Sequence, residues 1–202
     1  MLRSSLAATF LALSAMLPGQ TVTASAETQA AIFAGGCFWC VEKDFDNVPG
    51  VISTTSGYSG GTLKNATYQN HEGHREVVKV EFDSSKTSFD KLAAVFFRSV
   101  DPTDDGGQFC DRGHAYTTAI YVTDQAQKAA AEKAKAEAQA TLGQPIVTPI
   151  EAAGTFWDAE DYHQDYYKKN PLRYKYYRSA CGRDGRIEEL WGNAAHEGIA
   201  AH

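Results

Sequence analysis

The sequence predicts an α+β fold, a two-layer sandwich with helices laid on one sheet. Three observations lead there. Short β-branched or alternating stretches recur along the chain, helical periodicity falls between them, and the two alternate too irregularly for a doubly wound parallel sheet. No internal repeat and no linker divides residues 27–202, which are read as a single domain.

The elements follow in chain order. Residues 30–34 are an apolar run, read as a short buried strand that ends at Gly35-Gly36. Phe38, Val41 and Phe45 then have helical spacing over residues 37–46. Residues 51–56 are β-branched and read as a strand, followed by a turn-rich stretch to residue 70. Residues 76–82 alternate cleanly, as a half-buried strand does. Phe89, Leu92, Val95 and Phe96 mark a helix over 88–100, with Ser88 as its cap. An Asp- and Gly-rich loop, 101–113, leads into a second β-branched strand over 116–122.

Residues 124–142, rich in Ala, Glu, Lys and Gln and stopping before Gly143, form the clearest helix. A short strand is expected over 147–150 and a helix over 160–169, broken at Pro171. Two short helical pieces, 172–179 and 185–190, flank Cys181. The expected architecture is a ferredoxin-like mixed sheet with long C-terminal loops and short helices.

The first 26 residues read as a secretory signal: Arg3 is the positive start, residues 6–17 the apolar core, and Ala24-Ser25-Ala26 a small-residue cleavage site. The core is shorter than the roughly 20 residues of a membrane span, and a retained amphipathic anchor is the alternative. Cleavage after Ala26 leaves 176 of the 202 residues and removes one cation, taking the formal charge from −6 to −7. The expected destination is the bacterial periplasm. An acidic chain without a basic tract gives no reason to expect nucleic-acid or anionic-membrane partners, and a monomer is expected.

All four cysteines, Cys37, Cys40, Cys110 and Cys181, lie after the signal. In an exported protein an even count favours disulfides. Structural zinc usually takes two close pairs, whereas here one close pair stands with two distant single cysteines, so no metal is expected.

The pentapeptide Gly36-Cys37-Phe38-Trp39-Cys40 carries the strongest chemical signal. It sits at a strand-to-helix turn, where free backbone N–H groups and the helix dipole favour a thiolate on Cys37. Phe38 and Trp39 place two aromatic surfaces beside that sulfur. Cys40 lies one turn on, within disulfide reach. Three other groups can serve a thiolate. Glu76, held against an aromatic pocket, would be a proton donor with a raised pKa, and Tyr68 and Tyr116 are phenols near loop ends able to hydrogen-bond a polar substrate atom. Taken singly, Glu76 also reads as a strand-edge charge and each tyrosine as packing. His163 reads as packing or capping, with a Cys–His hydrolase pair as its functional alternative.

These pieces come in a familiar order. Gly36-Cys37-Phe38-Trp39, Gly57-Tyr58-Ser59-Gly60-Gly61, Asn65-Ala66-Thr67-Tyr68 and Gly73-His74-Arg75-Glu76-Val77 are followed by Asp101-Pro102-Thr103, Asp111-Arg112-Gly113, Ala119-Ile120-Tyr121 and Ala159-Glu160-Asp161-Tyr162-His163-Gln164. Over residues 31–171 the chain resembles the peptide methionine sulfoxide reductase A family, enzymes that reduce the S-epimer of methionine sulfoxide, free or in proteins.

The resemblance implies that Cys37 is the nucleophile and that Phe38 and Trp39 form the wall receiving the substrate S-methyl group. It implies Glu76 as the acid that protonates the sulfoxide oxygen, Tyr68 and Tyr116 as hydrogen-bond donors to that oxygen, and Asp111 as a supporting polar residue. It implies no bound cofactor. An external dithiol reductant of thioredoxin type would reduce the disulfide formed after each turnover.

The chain departs from the family at Cys40, where many members have glycine, and in its tail, which lacks their glycine-rich run of recycling cysteines. Cys40 is the expected resolving cysteine, because closing one turn costs little entropy, and Cys181 is the alternative. Cys110 is open as a partner of Cys181, a relay or a buried thiol. Two rivals remain: a general thiol–disulfide oxidoreductase built on Cys37 and Cys40, and an exported binding domain with two structural disulfides.

Overall fold

The computed structural model describes residues 27–200, so the expected signal segment lies outside the described residues. The sheet starts with β1 (Thr28–Gly35), whose side chains alternate between two apolar clusters: Ala31 and Phe33 on one face, Ile32 and Ala34 on the other. Helix α1 (Phe38–Asp46) crosses to β2 (Val51–Ser59), which pairs antiparallel with β3 (Arg75–Asp83). β3 then pairs antiparallel with β1, so β1 and β2 run parallel with β3 between them. Helix α2 (Phe89–Phe97) follows, capped by Ser88, whose hydroxyl accepts from the Lys91 N–H.

The loop expected over 101–113 holds a small ribbon of two-residue strands, β4 (Gly107–Gln108) and β5 (Asp111–Arg112). A 3₁₀ turn, His114–Tyr116, leads into β6 (Thr118–Val122), antiparallel to β1. The order β6-β1-β3-β2 with crossovers α1 and α2 is the ferredoxin-like arrangement. Helix α3 (Gln125–Leu142), capped by Asp124 and ended by Gly143 at φ 65°, brings the chain to β7 (Ile150–Ala152), parallel to β6. β8 (Trp157–Asp158) closes the other edge against β2. The tail adds α4 (Tyr166–Lys169), α5 (Pro171–Ala180) and α6 (Arg183–Trp191).

The main core lies between the sheet and α1, α2 and α3, where Phe33 stacks on Phe45 and Phe96 at 4.8 and 5.2 Å between ring centroids. On the opposite face, Ile32, Ala34, Val77, Ala119 and Tyr121 are covered by Ala153 and Phe156. Among the described residues no helix is long and apolar enough to cross a membrane.

Three expectations are corrected. The strand expected over 116–122 begins at Thr118, because Tyr116 closes the 3₁₀ turn with its N–H on Gly113 O. The strand expected over 147–150 starts at Ile150, since the Val147 N–H is taken by Pro102 O and Pro149 has none to give. The helix expected over 160–169 is mostly turns. Gln164 bonds both the N–H and the carbonyl of Ser56, Glu160 accepts from the Tyr68 N–H, and Asp165 stands at φ 53°, so a helix survives only from Tyr166. The break expected at Pro171 is present: α4 ends at Lys169, and Pro171 takes the first-turn position of α5.

Candidate active site

The turn between β1 and α1 fixes the site. Gly36 has φ 82°, and a Cβ on it would lie 2.6 Å from Gln108 Cβ, so neither the backbone nor the space admits a side chain. Cys37 becomes the N-cap residue of α1, with its carbonyl accepting from the Cys40 N–H at 3.0 Å. Both thiols are buried, at 7% and 2% exposure, and they hydrogen-bond each other.

Glu76 enters from β3. It has the parity of Val78, Val80 and Phe82, which places it on the helix-facing side of the sheet, where its Oε2 accepts from the Phe38 N–H at 3.0 Å. It is 2% exposed, and burial pushes its pKa up to about 8 against the opposing pull of that N–H. At neutral pH it is therefore an acid with a proton to give. Asp111, on β5, is also raised by burial and accepts a hydrogen bond from Tyr177. Tyr177, on α5, bonds the Cys37 thiol as well.

Tyr68 and Tyr116 have raised pKa values, first from burial and then from the field of Glu76 and, more weakly, Cys37, which puts both phenols at this cluster. Both phenols remain protonated donors.

The aromatic wall is held from behind. Trp39 stacks on Tyr166 at 3.7 Å between centroids, and its indole N–H donates to His163 Nδ1 at 3.0 Å. His163 also packs on Phe38 and Tyr68, and burial lowers its pKa, so it is a neutral acceptor that orients Trp39. That agrees with the packing role and gives no Cys–His hydrolase pair.

The cysteines differ from expectation in one respect. Burial, followed by the hydrogen bond with Cys40, holds the Cys37 thiol well above its ordinary pKa despite the helix N-terminus. The hydrogen bond from Cys37 and the Arg183 and Arg178 guanidiniums bring Cys40 down to about 7, against an opposing push from burial. Of the two thiols, Cys40 is therefore the one drawn toward ionisation. The other two cysteines are bonded to each other, Cys110 to Cys181, closing a 71-residue separation between the β4–β5 ribbon and the end of α5.

Sequence reasoning brought Cys37, Cys40, Phe38, Trp39, Glu76, Tyr68, Tyr116 and Asp111 to one place. It missed Tyr177, Arg178 and Arg183. Tyr177 stands one turn before Cys181, a spacing that could have drawn attention once Cys110 and Asp111 were paired with that segment. The two arginines gave no local signal.

Comparison with known proteins places this geometry. Residues 29–195 match the family model described as peptide methionine sulfoxide reductase. A protein of Rhizobium meliloti named peptide methionine sulfoxide reductase MsrA 2 is 59% identical over 180 residues, 87% of this chain and 90% of that one. Methionine sulfoxide reductase A of Corynebacterium diphtheriae superposes with a TM-score of 0.64 at 32% identity, over 72% of this chain and 76% of that one. Mxr1 of Saccharomyces cerevisiae, in its complex with Trx2, gives a TM-score of 0.50 at 25% identity, over 73% and 91% of the two chains. With the match spanning nearly every described residue, the chain belongs to the peptide methionine sulfoxide reductase family.

Proposed function

We propose that this protein reduces the S-epimer of methionine sulfoxide, peptide-bound or free, to methionine, and that Cys37 is its nucleophile. One observation carries the reading: a buried, protonated Glu76 stands at the N-terminus of α1 beside Cys37 and the Phe38–Trp39 wall. A sulfoxide sulfur becomes electrophilic as its oxygen gains a proton, so a neutral acid in an apolar pocket acts where charge develops. The S-methyl group lies against Phe38 and Trp39, and the oxygen faces Glu76, Tyr68 and Tyr116. Asp111 holds Tyr177 against the Cys37 thiol. Attack transfers oxygen to Cys37, giving a sulfenic acid and methionine.

Cys40 then condenses with the sulfenic acid to a disulfide, releasing water. It is one turn away and a free thiol, whereas Cys181 is occupied by Cys110. A thioredoxin-like dithiol restores the pair, a reading supported by the Mxr1 complex with Trx2. The protein works after export to the periplasm and cleavage near Ala26, which N-terminal sequencing of the fractionated protein tests. The activity itself is tested with an S-sulfoxide peptide and a dithiol: wild type forms methionine, Cys37→Ser forms none, and Glu76→Gln loses about 10²–10⁴-fold in rate. Undiminished activity of Cys37→Ser would refute the assignment.

A further inference from the structure

The Cys110–Cys181 disulfide stands beside the site without taking part in the reaction as described, yet each of its ends carries a residue of that site. Cys110 is followed by Asp111, and the Cys181 N–H donates to the Tyr177 carbonyl, one helical turn back along α5, at 2.9 Å. The side-chain ligand atoms of Cys110, Asp111 and Cys181 all lie within 4.8 Å of one another. Across this junction the Tyr177 hydroxyl donates to Asp111 Oδ2. Tyr177 is thereby held on three sides: by Asp111, by the Cys37 thiol, and by Trp39, which it meets edge-on at 5.8 Å between ring centroids. Its one proton is engaged by Asp111, so its oxygen faces Cys37 as an acceptor for the S–H.

The two partners differ in what fixes them. Helix α5 is pinned without the disulfide, because Arg178 pairs with Asp44 and Asp184 and donates to the Tyr174 hydroxyl. Asp111 instead lies on the β4–β5 ribbon, a separate sheet of two two-residue strands, and such a ribbon alone is marginally stable at best. Its base is anchored by Gln108, which bonds the N–H and the carbonyl of Asp101. Its tip is the turn Phe109–Cys110, with Phe109 at φ 55°, a left-handed conformation uncommon for a bulky side chain. A turn of that kind persists where its surroundings impose it. Here they are the disulfide at Cys110 and the Arg183 guanidinium, 4.8 Å over the Phe109 ring.

We propose that the Cys110–Cys181 disulfide is a positioning bond for oxygen transfer: it fixes the ribbon tip so that Asp111 keeps the Tyr177 hydroxyl on the Cys37 sulfur. Tyr177 is then a catalytic residue, and Cys110, Asp111 and Cys181 are positioning residues that act through it. The inference rests on the proposed reductase function. Cys110 is exposed, so the bond is also within reach of a dithiol. A dithiol thiolate attacks one bridge sulfur, and its second thiol then closes on the mixed disulfide. The dithiol leaves oxidised, and its two electrons and two protons remain on Cys110 and Cys181 as thiols. The opened protein keeps Cys37, Cys40 and Glu76 but loses the constraint on Tyr177, so oxygen transfer slows.

A double-mutant cycle on the first turnover tests this. Full-length wild type, Cys110→Ser/Cys181→Ser, Tyr177→Phe and the triple variant are reduced at Cys37 and Cys40, freed of reductant and mixed with S-sulfoxide peptide over a range of concentrations. Removing the bridge is expected to slow the first turnover at saturation by about 10–10²-fold, the effect of a small misplacement, with the peptide concentration for half-maximal rate unchanged. In the Tyr177→Phe background, itself slowed, removing the bridge is expected to add nothing. A first turnover as fast as wild type without the bridge would overturn the proposal. Equal slowing in both backgrounds would overturn it too, since a merely structural bond acts independently of Tyr177. Wild type forming no methionine would overturn the reductase reading and this inference with it. If the serine variants do not fold, wild type and Tyr177→Phe are compared with the bridge closed and with it opened by a graded dithiol, mass mapping assigning each pair, and the same outcomes decide.

Discussion

Glu76→Gln should make the protein more stable while disabling it, and the size of the gain follows from the site. The buried Glu76 carboxyl has a pKa of about 8 in the fold, against an ordinary value of 4.5. Between those two values the unfolded chain releases its proton and the folded chain keeps it. Stability therefore falls by about 1.4 kcal/mol per pH unit, present in full below 4.5 and lost as pH rises through about 8. At pH 7 the loss is about 3 kcal/mol, mostly the cost of withholding ionisation from a desolvated acid. Glutamine has the same shape and offers a carbonyl oxygen to the Phe38 N–H, so that contact survives without the penalty. Urea unfolding of both proteins at pH 5 and pH 7.5, with Cys110–Cys181 oxidised, isolates the term by difference. Glu42, whose pKa burial raises to about 7, contributes equally to both and cancels. The variant should lead by about 3 kcal/mol or more at pH 7.5 and by under 1 kcal/mol at pH 5. Parallel pH profiles for the two proteins would refute a protonated Glu76. For activity, the gap between wild type and variant should narrow above about pH 8, where the wild-type acid ionises.

Further outcomes follow from other parts of the site. Cys40→Ser should lose one thiol per methionine formed, by thiol counting after a single turnover; loss of two would return the resolving role to another cysteine. Gly36→Ala should cost about 2–5 kcal/mol in denaturant unfolding, combining a left-handed backbone with a 2.6 Å approach to Gln108 Cβ. Replacing Cys110 and Cys181 together by serine should lower stability by about 4 kcal/mol, the loop-closure value for a 71-residue separation, without removing the free thiol pair.

Local signals in the sequence carried the frame. The glycine pair, the apolar run and the helical spacing after Cys37 located the turn, and alternation over 76–82 located the strand that carries Glu76 to the helix side. The caps Ser88 and Asp124 and the stop at Gly143 are chemistry that a few residues contain within themselves. The segment over 160–169 was misread for the opposite reason. Its composition suits a helix, but Glu160 and Gln164 spend their polar groups on Tyr68 and Ser56, about a hundred positions away. No window along the chain contains those partners.

The same limit explains the charge on the cysteines. A thiol at a helix N-terminus gains from the dipole, and that local argument puts the anion on Cys37. The site also contains Glu76 and Cys40, and two adjacent buried anions would repel strongly at low dielectric. The Cys40 thiol is drawn down first by its hydrogen bond with Cys37 and then by the field of two guanidiniums. Those guanidiniums belong to Arg178 and Arg183, supplied from helices about 140 residues after Cys40; Arg178 is ion-paired with Asp44 and Asp184, and Arg183 is anchored to the Gly35 carbonyl. Cys40 lies on their side and Cys37 on the side of Glu76 and Tyr177. The tail that lacks the family's usual recycling cysteines thus acts on the thiol pair through charge.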